Sequence, residues 1–272
     1  MRMKRCCVWM LAMVLLLMIL NLPVTVYAAT EQQSGEYVYT VHNDGTVEIT
    51  EYKGHTTANL KIPSTLDGKK VTAIGETVFM RRDELKTVTV PDGVQTIGSF
   101  AFAYCYNLKS VSLPNGLKDI ARGAFNNCNM LTEPQIPETV THVGSDAFTE
   151  SGYDVAANYK NNTLYLNGWM LGASDKLTDV DSFQVAEGTV GLADYAFPST
   201  HLTTLQLPAS LRYIGEGAFI NCSELRTVQL SANNTALAVQ DNVLYNADKT
   251  CLYLYPRGKK ESVYTAPSTL TA

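Results

Sequence analysis

Apolar residues along this chain recur in a fixed order rather than at a simple helical or strand spacing. Ile97, Ala101, Phe102, Cys105, Leu108, Val111, Leu113 and Pro114 define the string I-G-x-x-A-F-x-x-C-x-x-L-x-x-V-x-L-P, and the next copy starts 23 residues later at Ile120. Aligned columns hold Phe79, Phe102, Phe125 and Phe148; Ile74, Ile97, Ile120 and Val143; Leu85, Leu108 and Leu131; and Pro91, Pro114 and Pro137. Two further copies carry Ala196, Phe197, Leu202, Leu205 and Leu207, then Ile214, Ala218, Phe219, Leu225, Val228 and Leu230. Within a copy, "LKSVSLP" alternates as a short strand does, with Leu108, Val111 and Leu113 inward and Ser110 and Ser112 outward, and the proline ends it. The following "NGLKDIARGAFNNC" returns the chain with Leu117, Ile120, Ala124 and Phe125 inward, as a helical turn or a short extended piece. So short a unit cannot bury its own apolar face, so at least six copies stack and seal one another as a solenoid.

Three stretches break the period, and each has hairpin chemistry. Asp44-Gly45 and Asn167-Gly168 sit between alternating apolar residues, as two-residue hairpins require, and a looser turn spans 246–249. The first hairpin is expected to cap the array over residues 29–60, covering strand groups that would otherwise invite aggregation. The solenoid then occupies 61–272, with insertions near 149–189 and 231–264 and one coil remodelled between Phe148 and Phe197. Ala121 and Ala193 replace the glycine after the Ile position, and Pro134 stands where the strand should have an inward valine, so local departures are expected there. Nothing is expected to cap the far end. "APSTL" at 266–270 repeats "IPSTL" at 62–66, so the chain is expected to stop where a further coil would begin, truncated from a longer product.

Charge and chemistry add limits. Residues 1–28 have a basic start, an apolar run from Val8 to Leu22 and small residues before Ala28, the layout of a cleaved signal peptide; an uncleaved anchor is the alternative. Removing Arg2, Lys4 and Arg5 leaves 18 basic against 26 acidic residues, near −8. No basic stripe remains for nucleic acid or an anionic membrane surface, and no membrane insertion is expected once the signal is gone. Cys105, Cys128 and Cys222 share one repeat column; stacked thiols could be bonded or could be buried apolar fillers. Neither C-x-x-C nor a paired-histidine spacing points to zinc. Asp179 and Asp181 lack a calcium-loop spacing and read as solvated loop charges. His42, His55, His142 and His201 are scattered, and no nucleophile or carboxylate is expected to keep them company. Neither metal nor cofactor is expected, and no enzyme.

The repeated string resembles the leucine-rich repeat of BspA-like bacterial surface proteins, the Treponema-type repeat, and "DGTVEITEYKG" with "KIPSTLDGKKVTAIGETVF" is similar to the start of exported members. The resemblance implies an α/β leucine-rich-repeat solenoid, a strand-rich horseshoe or arc with a parallel concave sheet, short helical turns on the convex side and inserted hairpins. It also implies secretion to the bacterial cell surface and a part in adhesion or protein binding.

The outward strand positions then become candidate binding residues: Thr87, Thr89, Ser110, Ser112, Glu133, Gln135, Thr204, Gln206, Thr227 and Gln229. They form a stripe of hydroxyls and amides suited to an extracellular protein or glycan, although the same residues also simply favour strands. Tyr104 and Tyr106 at the coil edge offer a second contact. The alternatives are a structural spacer presenting another domain and, less favoured, a carbohydrate-processing enzyme.

Overall fold

The computed structural model describes residues 31–55, 57–178, 180–260 and 263–271; the signal-like segment and Asp179 lie outside them. The regular coils contribute one rung to each of two parallel ladders. On the stripe side, Asn59–Lys61 pairs with Thr87–Thr89 and that with Ser110–Ser112, matching Val88 to Val111 in register. On the return side, Lys69–Ile74, Thr96–Ile97, Asp119–Ile120 and His142–Val143 stack with Ile74, Ile97, Ile120 and Val143 aligned. The return leg thus takes the extended form. Helix in the described residues is limited to the 3-10 turns Ala156–Asn158 and Asp175–Leu177, both in the insertion.

Stacking brings each repeat column into contact with itself. Phe79, Phe102, Phe125 and Phe148 form a buried ladder with centroid separations of 5.1, 5.4 and 5.3 Å, and Tyr52 closes its N-terminal end 5.3 Å from Phe79. Such offset stacks add to the burial of large apolar rings. The cysteine column behaves as apolar filler that also ties adjacent coils, since Cys105 Sγ donates to the Phe79 carbonyl at 3.1 Å and Cys128 Sγ to the Phe102 carbonyl at 3.2 Å. All three column cysteines are free and buried. Burial pushes the Cys105 thiol up to about 11 and the Cys222 thiol up to about 12.

Two corner positions turn with positive φ in the coils before the insertion, and one in those after it. One column holds Thr77, Phe100, Gly123, Asp146, Tyr195 and Gly217; the other holds Arg81, Tyr104, Asn127 and Glu150. Gly123 is needed twice over, since its φ is +60° and a Cβ there would run into the Phe100 ring.

The insertion interrupts the stack. Tyr159–Lys160, Thr163–Leu166 and Trp169–Ala173 form an antiparallel meander, and its last strand pairs in parallel with Gly191–Leu192, which pairs with Tyr213–Ile214. Alternation along that strand divides the interior: Trp169 belongs to the apolar cluster of the first coils, and Met170 to the cluster of the later ones. On the stripe side a new sheet begins, Ser182–Gln184, Thr204–Leu207 and Thr227–Leu230.

Two expectations are corrected here. Glu133 and Gln135 do not lie on a strand: Pro134 removes a ladder N–H, and residues 131–136 run without regular structure. The Asn167 turn fills the gap, its Oδ1 accepting from the Ile136 N–H at 2.9 Å and its amide donating to Gln135 Oε1 at 3.2 Å. At the other end the last coil is not bare, because the meander Leu237–Gln240, Val243–Asn246 and Leu252–Leu254 folds over it, with Leu237, Leu244 and Leu254 buried in the second cluster.

Candidate functional site

The stripe is present in two pieces rather than one. Thr87, Thr89, Ser110 and Ser112 project from the first sheet, and Thr204, Gln206, Thr227 and Gln229 from the second, with Thr204 opposite Thr227 and Gln206 opposite Gln229. Glu133 and Gln135 are exposed between them on irregular backbone. Thr87 Oγ1 donates to Asn59 Oδ1 at 2.8 Å, so this hydroxyl and Gln135 are already engaged. Tyr104 and Tyr106 meet edge to face at 6.2 Å, with the Arg81 guanidinium 5.5 Å from the Tyr104 ring centre.

A second feature arises where the insertion spreads the coils. Along the positive-φ column each backbone N–H bonds to the next coil: Thr77 to Ser99, Phe100 to Arg122, Gly123 to Ser145, and beyond the insertion Tyr195 to Glu216. The matching bond from Asp146 to Asp194 is not among those of the described residues; instead, one residue earlier in the repeat, the Asp194 N–H reaches the Val143 carbonyl at 3.0 Å. The corner opens into a groove of about 920 Å³, walled by Arg122, Ser145 and Asp146 on one side, Asp194 and Tyr195 on the other, and Tyr159 from the insertion.

His142 holds the floor of this groove. Its Nδ1 lies 2.7 Å from Asp119 Oδ1, and its Nε2 lies 3.1 Å from both oxygens of Asp194. Hydrogen bonds to Asp119 and then Asp194 outweigh the opposing effect of burial and raise the imidazole pKa to about 10, so both ring nitrogens donate at neutral pH. Asp194 Oδ1 also accepts from the Glu216 N–H at 2.5 Å. The trio therefore ties coils before the insertion to coils after it. Both ring nitrogens are taken up by carboxylates, which leaves neither free to accept a proton in this arrangement.

The expectation that no carboxylate accompanies a histidine is thus overturned. The repeat period contained the signal: Asp119 and His142 are 23 residues apart, as are His201 and Glu224, whose Nδ1 and Oε1 lie 2.6 Å apart. Residues one period apart are neighbours on adjacent rungs. Asp194 could not be found in this way, since the insertion breaks the count.

Tyr195 is the other residue that sequence reasoning missed. It has a φ of +55° at the corner column, where Thr77, Phe100 and Asp146 also take positive φ and Gly123 and Gly217 are glycines. A Cβ on Gly217 would lie 2.7 Å from its Cε1, so the ring packs against that glycine as the Phe100 ring does against Gly123, while the residue remains 50% exposed.

Two parallel ladders in 23-residue register, joined by tight corners, define a leucine-rich-repeat solenoid whose regular elements are nearly all strands. The chain belongs to the BspA type leucine rich repeat family, whose model matches six copies over residues 48–167 and 172–250. Among solved structures it is similar to a leucine-rich repeat protein from Bacteroides capillosus, 34% identical over 46% of this chain and 95% of that one, with a TM-score of 0.42. It is also similar to the T. pallidum leucine rich repeat protein, 24% identical over 73% of this chain and 71% of that one, TM-score 0.40. A leucine rich cell surface protein from Faecalibacterium prausnitzii is 23% identical over 76% and 78%, TM-score 0.29. No curated protein matches the chain.

Proposed function

We propose that this is an exported, non-enzymatic protein of the bacterial cell surface that binds an extracellular protein or glycan through side chains presented on its stacked rungs. The observation that carries the reading is the in-register projection of hydroxyl and amide groups, Thr87 beside Ser110 and Thr204 beside Thr227, from sheets that every neighbouring coil holds in place. Such a face offers many weak, directional contacts to a ligand larger than a metabolite. Family membership and the signal-like N-terminus support export. The histidine and carboxylates that do converge are locked to one another, which favours binding over catalysis.

The test is retention of extracellular-matrix proteins and glycans by the immobilised chain, with Thr87, Ser110, Thr204 and Thr227 changed to Lys. Loss of retention with an unchanged melting temperature is the predicted result. Retention equal to that of the unaltered protein removes the stripe as the binding surface.

A further inference from the structure

We propose that the groove opened at the corner by the insertion is a binding site for a neutral oligosaccharide, with the Tyr195 ring as the platform for a sugar face. The proposal rests on the binding reading above and gives it a second location and a ligand class.

The groove's volume, about 920 Å³, is in the range of small-ligand sites. Its charges are largely answered from within. His142 lies between Asp119 and Asp194, Asp154 accepts from the Tyr159 hydroxyl at 2.9 Å and from the Glu150 N–H at 2.9 Å, and Arg122 lies 4.0 Å from Asp146. A strongly anionic ligand would face the surplus of carboxylates. A cation would find Asp119, Asp194 and Asp154 already committed.

What remains suits a molecule with apolar C–H faces and hydroxyl edges. Tyr195 lies half exposed on the groove wall, and the electron-rich face of an aromatic ring attracts polarised C–H groups. Beside it, the solvent-facing Arg122 and Asp146 place a donor and an acceptor together, the pairing that two adjacent sugar hydroxyls accept. Its positive φ is the corner geometry that Thr77, Phe100 and Asp146 share; what marks Tyr195 is that this aromatic lies on the groove wall with half its surface in solvent.

The experiment is titration of the full chain against an array of neutral oligosaccharides of glucose, mannose, galactose and N-acetylglucosamine, followed by calorimetry with the best probe. The unaltered protein should bind at least one, with an affinity that changes less than about twofold between low and high salt. Tyr195→Gly should keep or raise the melting temperature and lower affinity at least about tenfold, whereas Tyr195→Phe should stay within about threefold. Lys substitutions at Thr87 and Ser110 should leave sugar affinity unchanged. The proposal is overturned if no neutral oligosaccharide is retained, if Tyr195→Gly binds as well as the parent, or if a basic peptide occupies the groove with salt-sensitive affinity. Failure here with protein ligands still retained by the stripe leaves the binding reading intact; failure of both removes it.

Discussion

At the scale of single residues, most of the chain's structure follows from what one repeat column must do when its members touch. Phe102 is readable from sequence as part of a buried stack because an aromatic repeated at each period has only its own kind above and below it. The pairing of His142 with Asp119 lies equally within reach of the period, but histidine recurs in no column that would draw attention to it, and its partner Asp194 is hidden by the insertion. The charge on His142 has a measurable consequence. The folded pKa is raised above the ordinary 6.5 to about 10, so the stabilisation from this trio is complete below pH 6.5 and is lost as pH rises through about 10. The histidine side chain retains 40% exposure, so solvent screening holds the effect to about 1 kcal/mol. Urea midpoints of the parent and His142→Gln should therefore differ at about pH 6 and converge at about pH 10.5; a constant difference across that range would assign the histidine a packing role instead.

At the scale of elements, the strands are legible wherever alternation and the terminating proline agree, as at Ser110–Ser112, and illegible where a proline falls inside the strand itself. Pro134 leaves Glu133 and Gln135 without a ladder, and the Asn167 turn from the insertion supplies the missing hydrogen bonds. No local rule links these two segments, because they are about thirty residues apart and meet only after the insertion has folded back. The insertion is thus a patch for a broken rung as well as an interruption of the stack. Asn167→Ala removes an acceptor for the Ile136 backbone donor and places alanine at a φ of +46° that asparagine tolerates better. It should cost about 1–3 kcal/mol, with amide exchange accelerated at Ile136 more than at Val111. Equal exchange rates in parent and variant at Ile136 would show that the turn does not support that rung.

At the scale of the whole molecule, two apolar clusters meet at one strand, with Trp169 facing the first and Met170 the second. The stack of coils can be foreseen from the 23-residue period, and so can the existence of a remodelled coil. The groove cannot, since it depends on which corner bond is lost when the coils are spread, a matter of three-dimensional closure. The location of the candidate sites follows from the same architecture: the stripe uses the regular part of the array, and the groove uses the corner that the insertion spreads.

Beneath both sites lies one physical requirement, that each coil is held by its immediate neighbours. It is tested most directly by double-mutant cycles on the phenylalanine ladder, measured by urea unfolding with Phe→Leu changes that spare the fold. Phe102 and Phe125, whose centroids are 5.4 Å apart, should show a coupling energy of about 0.5–1.5 kcal/mol. Phe79 and Phe125, separated by Phe102, should be additive within about 0.3–0.5 kcal/mol. Additivity for the adjacent pair, or coupling as large between the separated pair, would contradict a stack held together rung by rung.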